Sequence, residues 1–227
     1  MSKINIKICG LKAILDVKAC MDSGVDIIGF VVDYPITVPW NLSGEEAAKL
    51  LSSVNITCKT CIVTGGEIDK IVTLAKKLSP DLVQLHYNET LNDTIEISNK
   101  LSDLDVQVIK TMPLTEEAQI HQFGTADIAK IVNELNNTDI FAILVDARTP
   151  SNVNESKHEA NLDFFTKIKS LSSKPVILAG GITHENVNDI LNLTKANFID
   201  VMTGVEHSPG IKDLEKLDKL MSAIKAN

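Results

Sequence analysis

The sequence predicts an α/β protein folded as a single TIM-type (β/α)8 barrel spanning residues 1–227. Three observations carry that expectation: eight short runs rich in Val and Ile, amphipathic stretches between them, and polar or glycine residues where several runs end. The runs cover residues 4–9, 26–32, 57–63, 81–86, 106–111, 140–146, 175–179 and 198–203. Most lack clean polar alternation, the pattern of parallel strands buried on both faces.

Helical periodicity fills the intervals. Leu15, Cys20 and Met21 are expected on an inner face, then Ala47, Ala48 and Leu51 in the next helix. Residues 68–78 place Ile68, Ile71, Val72, Ala75 and Leu78 on one stripe, and residues 182–193 and 211–224 repeat the pattern. A doubly wound open sheet is the rival architecture, but it gives no reason for eight units. The least regular stretch, residues 148–160, follows the sixth strand and reads as a surface loop or a lid above the barrel mouth.

Composition narrows the partners. The chain is 44% hydrophobic and 23% charged, enough for a sizeable core, and its formal net charge is −8. An acidic protein argues against nucleic acid or an anionic membrane as main partner, so an anionic substrate needs a locally positive pocket. The first residues, Met1-Ser2-Lys3-Ile4-Asn5, carry no apolar targeting run, and no stretch approaches the roughly 18 apolar residues of a membrane span. The expected compartment is the cytoplasm, the expected state a monomer or homodimer.

Function in such a barrel concentrates at the C-terminal strand ends. Cys9 ends the first run immediately before Gly10; it reads either as a small core hydrophobe or as a base, if the pocket lowers its pKa from about 8.5. Asp146 follows five apolar residues, Phe141 to Val145, and reads either as a cap or as a partly desolvated general acid. The turns Gly180-Gly181 and Thr203-Gly204 follow the last two runs. Glycine there lets backbone N–H groups approach an anion near helix N-termini, and these turns are expected to bind phosphate.

Other reactive side chains are read as structural. Cys58 and Cys61 form a Cys-x-x-Cys, but strand alternation sends them to opposite faces and no second pair accompanies them. The histidines show no metal-ligand spacing, so no metal is expected. His86 ends the fourth run and is a candidate pocket residue; for Asp200, inside the eighth, a core contact and a site role stand level.

Taken together, Lys7-Ile8-Cys9-Gly10-Leu11, Gln84-Leu85-His86, Leu144-Val145-Asp146, Leu178-Ala179-Gly180-Gly181-Ile182 with Asn186-Val187, and Thr203-Gly204-Val205-Glu206 continuing through Ser208-Pro209-Gly210-Ile211-Lys212-Asp213 resemble the phosphoribosylanthranilate isomerase family of tryptophan biosynthesis. The resemblance spans nearly the whole chain. It implies a (β/α)8 barrel and an Amadori rearrangement of a phosphoribosyl anthranilate, with Asp146 as acid and Cys9 as base. It implies no metal and no organic cofactor, because the imine formed on ring opening is itself the electron sink.

Two segments depart from the family pattern. Where the family carries a Ser-Pro-Arg-Tyr-like segment, this chain reads Thr37-Val38-Pro39-Trp40-Asn41-Leu42-Ser43, so Trp40 takes the place of an arginine. An indole can stack on a ring but cannot pair with a carboxylate as a guanidinium does. After the sixth strand, Lys157-His158-Glu159-Ala160 replaces a glycine-rich phosphate loop ahead of a recognisable Leu162-Asp163-Phe164. Arg148, the chain's single arginine, lies two residues after Asp146 and is a candidate anion clamp, assisted by Lys157 and His158, or a plain surface residue. These departures leave two alternatives: a barrel lyase or aldolase for another phosphorylated metabolite, with Lys110 as the candidate Schiff-base lysine, or a binding protein that has lost turnover.

Overall fold

The computed structural model describes residues 3–146 and 158–225. Eight parallel strands form the barrel: β1 (Asn5–Ile8), β2 (Ile27–Val32), β3 (Lys59–Thr64), β4 (Leu82–Leu85), β5 (Gln107–Thr111), β6 (Ala142–Asp146), β7 (Val176–Ala179) and β8 (Phe198–Val201). Each falls within two residues of its expected limits. β8 pairs with β1 in the register Asn5↔Phe198 through Ile8↔Val201, and β1 pairs with β2, so the sheet closes. Closure leaves no open edge and rules out the doubly wound sheet. A short strand, Asn41–Leu42, lies against the end of β2, and a hairpin of Glu206–Ser208 with Ile211–Lys212 follows β8.

Strand alternation splits the core into shells. Ile6, Ile8, Phe30, Val83, Val108, Ile143 and Leu178 face outward into the cluster shared with the helices. Ile27, Cys61, Leu82, Ile109, Ala142, Leu144, Ile177 and Phe198 fill the barrel's interior. Above them Cys9, Val31 and Val63 make a smaller cluster with Tyr34, Val38, Trp40 and Met202 at the barrel mouth. Cys58 and Cys61 do take opposite faces: Cys61 is interior, while Cys58 packs outside and donates its thiol to the Val25 carbonyl at 3.0 Å.

The described helices are α1 (Ile14–Ser23), α2 (Gly44–Leu51), α3 (Ile68–Leu78), α4 (Leu91–Ser102), α5 (Glu116–Phe123), α6 (Ile128–Asn136), α7 (His158–Leu171), α8 (Val187–Thr194) and α9 (Leu214–Lys225). Capping boxes start α2, through Ser43 and Glu46, and α4, through Thr90 and Asp93. The α3 stripe is as expected, with Ile71, Val72, Ala75 and Leu78 buried. Two inner faces differ. In α1 the buried residues are Val17 and Cys20, and Leu15, about 200° around the helix from Val17, is 77% exposed. In α2, Leu50 is buried beside Ala47, whereas Ala48 is exposed. α8 and α9 also begin later than expected, because the Ile182–Asn186 stretch forms a turn and Ile211–Lys212 belongs to the hairpin. Among the described residues no helix is long and apolar enough to cross a membrane.

Candidate active site

A cavity of about 800 Å³, open to solvent, lies at the C-terminal ends of the strands. It brings together Cys9, Trp40, His86, Asp146, Gly180, Gly181, Thr203 and Gly204, all but one of the expected site residues. The remaining one, Arg148, lies outside the described residues, as do Lys157 and the side chain of His158.

Cys9 follows β1, anchored by its N–H to the Val201 carbonyl at 3.0 Å. Its side chain is buried against Gly29 of β2, where an added Cβ would sit 2.9 Å from the sulfur. Burial pushes the Cys9 thiol above its ordinary pKa, and the Lys7 ammonium, close by on the same strand face, opposes that shift. The condition attached to Cys9 as a base, a pKa lowered by the pocket, is therefore not met in the free protein: desolvation outweighs the neighbouring cation.

Asp146 ends β6 across the cavity, half-buried, its backbone in register with Ala179 of β7. His86, just after β4, places Nδ1 3.1 Å from Gln84 Nε2 and 3.0 Å from Thr111 Oγ1. Burial lowers the His86 pKa, opposed by the charge of Asp146, so the ring is neutral near pH 7. With Gln84 donating to Nδ1, the ring proton is assigned to Nε2.

The last two strand ends form the glycine cradle. Gly180 and Gly181 adopt φ of 93° and 68°, left-handed values that suit glycine. Gly204 lies so close to this turn that an added Cβ would fall 1.8 Å from the Ile182 carbonyl oxygen. The two turns thus meet backbone to backbone, with Thr203 starting a short 3-10 turn between β8 and the hairpin.

Trp40 closes the side of the mouth near β1 and β2. Its indole packs over Gly10, where an added Cβ would meet Cδ1 at 2.9 Å, and its Nε1 donates to Glu206 Oε1 at 2.8 Å. The same oxygen accepts from Lys212 Nζ at 2.8 Å. Tyr34 donates to the His86 carbonyl at 2.5 Å, and burial pushes its phenol up to about 12.

Lys7 was given no role from sequence, and Asp200 was left level between a core contact and a site role. The two pair inside the barrel at 2.6 Å, and Asp200, with Gln84, also lines the cavity floor. Asp200 Oδ1 and Gln84 Oε1 are buried with no hydrogen-bond partner among the described residues. A charged residue two positions before a strand-end site residue was the signal for Lys7. Lys110 does not line the cavity: it points outward to the Glu89 carbonyl at 2.7 Å and Gln122 Oε1 at 2.9 Å, which removes the Schiff-base reading. Among the described residues no three His, Cys, Asp or Glu side chains gather as a metal site would.

Comparisons with known proteins bear on the chain's family. The sequence model of N-(5′-phosphoribosyl)anthranilate (PRA) isomerase matches residues 6–223. The N-(5′-phosphoribosyl)anthranilate isomerase of Methanocaldococcus jannaschii is 29% identical over 228 residues, covering 98% of this chain and 97% of that one. The phosphoribosyl anthranilate isomerase structure from Thermotoga maritima superposes with a TM-score of 0.78 at 25% identity, covering 99% of this chain and 100% of that one. Another phosphoribosyl anthranilate isomerase, solved in complex with reduced 1-(o-carboxyphenylamino)-1-deoxyribulose 5-phosphate, shares the fold with a TM-score of 0.76 at 23% identity, covering 99% and 100% of the two chains. With a family match over nearly its whole length and the strand-end residues gathered at one cavity, this chain belongs to the N-(5′-phosphoribosyl)anthranilate isomerase family.

Proposed function

We propose that this chain catalyses the Amadori rearrangement of N-(5-phosphoribosyl)anthranilate, with Asp146 as general acid and Cys9 as general base. The observation that carries the assignment is their placement at one small-molecule cavity, on strand ends β6 and β1, beside the glycine turns of β7 and β8. The turns hold the phosphate by backbone N–H groups, which fixes the ribose between acid and base. Asp146 protonates the ring oxygen as the C1–O bond breaks, and the nitrogen lone pair forms the C1=N bond. Cys9 then removes the C2 proton, and the C2–H electron pair becomes C1=C2 as the imine electrons return to nitrogen. Tautomerisation of the enol-amine moves the hydroxyl proton to C1 and leaves the C2 ketone. C1 is reduced and C2 oxidised within one molecule, so the balance requires no external oxidant, metal or cofactor.

His86, neutral and held by Gln84 and Thr111, offers an N–H donor beside Asp146. Arg148, outside the described residues, is retained as the anion clamp of the proposal, acting on the phosphate. All residues from 1 to 227 are assigned to one barrel domain, acting in the cytoplasm on a small phosphorylated metabolite, without nucleic acid, as monomer or homodimer. The test is loss of the fluorescence of freshly made N-(5-phosphoribosyl)anthranilate with the native chain, Cys9→Ala and Asp146→Ala. Turnover abolished in both variants supports the assignment. A folded native chain that binds phosphate but leaves this substrate untouched overturns it.

A further inference from the structure

We propose that Trp40 selects the aromatic end of the substrate, that Glu206 and Lys212 position its indole without touching the ligand, and that the site reads the aryl ring by stacking while leaving its ortho carboxylate unread. This rests on the function proposed above and adds how the non-phosphate end is recognised.

The wall around Trp40 is apolar and aromatic: Val31, Val38, Val63, Tyr34 and Met202 complete it. Among the described residues that line the cavity there is no lysine or arginine. The indole N–H, the donor a carboxylate could have met on this wall, is occupied by Glu206 at 2.8 Å. Lys12, at the rim, donates instead to the Pro39 carbonyl at 2.9 Å and does not line the cavity. A flat π-face with its polar edge already satisfied is suited to another ring and not to an anion.

The clamp behind the indole is built, not incidental. Glu206 Oε1 accepts from Trp40 Nε1, from Lys212 Nζ at 2.8 Å and from the Gly210 N–H at 3.2 Å. Lys212 also donates to the Met202 carbonyl at 3.1 Å, and both side chains of the Glu206–Lys212 pair are buried. Gly10 and Glu206 therefore fix the indole in place and edge-on bonding, which reduces the ordering cost when a ring stacks on it.

Trp40 is the chain's single tryptophan, so intrinsic indole fluorescence reports on this contact alone. The probes are reduced 1-(o-carboxyphenylamino)-1-deoxyribulose 5-phosphate, its counterpart lacking the carboxyl group, and ribose 5-phosphate, titrated by fluorescence quenching and calorimetry. The expected result is that both aryl compounds quench Trp40 and bind within about threefold of each other. Trp40→Leu should weaken both aryl compounds about tenfold and leave ribose 5-phosphate unchanged. Glu206→Ala should lower Trp40 anisotropy and weaken the same two ligands, and Glu206→Gln, which keeps an acceptor, should restore them. If Glu206→Ala fails to fold, Trp40→Phe removes the N–H and keeps the Glu206–Lys212 pair; unchanged aryl affinity in that variant overturns the clamp. A carboxylated ligand bound more than thirtyfold tighter than its counterpart overturns the stacking inference and leaves the isomerase function standing. Native protein that binds neither aryl compound overturns both.

Discussion

Lys7 Nζ lies 2.6 Å from Asp200 Oδ2 inside the barrel, joining the first and last strands one side chain below Cys9. Neither group is solvated: Lys7 is fully buried and Asp200 is 7% exposed. A buried pair is most costly to break from one side, because the remaining charge is left without compensation. Asp200→Leu or Lys7→Met should therefore each destabilise the protein by ~3–5 kcal/mol. Lys7→Met combined with Asp200→Leu should recover most of that loss. Urea unfolding of the four proteins measures the coupling, and additive losses in the double variant would refute it.

The same lysine controls the acidity of Cys9. Burial raises the thiol pKa and Lys7 counteracts it, so the thiolate of the free protein appears only as pH rises above the ordinary cysteine range of about 8.5. In the proposed mechanism the basic form of Cys9 takes the C2 proton, so kcat/KM should climb on the alkaline side through that titration. Peptide-resolved iodoacetamide labelling of Cys9 against pH supplies an independent midpoint, since Cys20 and Cys61 are each pushed up to about 12. The Lys7→Met, Asp200→Asn double variant should move the midpoint further up. A native midpoint below about 8.5 would contradict the account.

Which features could be read from sequence follows from how local their signals are. The strands were legible because a parallel strand buried on both faces needs a continuous apolar run, and each such run is bounded by its own turn residues. Cys9, Asp146 and the two glycine turns were legible because a polar or glycine residue closing an apolar run has few structural reasons to be there. The Lys7–Asp200 pair spans 193 residues and the Trp40–Glu206 bond spans 166, and only barrel closure brings either together. The direction of the Cys9 shift depended on weighing burial against one cation, which needs the depth of the site. Leu15 and Ala48 were misplaced because their neighbours' apolarity does not reveal the helix phase.

Gly204 tests the cradle. Its missing Cβ would overlap the Ile182 carbonyl, a backbone atom that cannot rotate away, so Gly204→Ala must separate the β7 and β8 turns. Affinity for ribose 5-phosphate should fall about tenfold or more, in line with the loss of one or two charge-assisted N–H contacts. Calorimetry on the folded variant decides the matter; unchanged affinity would place the phosphate elsewhere.

Lys110 provides a pH test remote from the cavity. Burial lowers its pKa to about 8, against partial opposition from Glu89. In the unfolded chain the value is about 10.4, so between these limits the unfolded state binds more protons than the native one. The sign follows: below pH 8 the native state carries the cost of a buried cation, and through the window from about 8 to 10.4 that cost is relieved, so this group makes stability rise with pH. Other groups titrate there too, among them Cys20 with the opposite sign, so the informative quantity is the difference between native protein and Lys110→Met. That difference, from urea unfolding at pH 7, 8.5 and 10, should shift in favour of the native protein as pH rises. A difference independent of pH would mean that the Glu89 carbonyl, Gln122 and the Glu89 carboxylate at 3.9 Å fully compensate the ammonium.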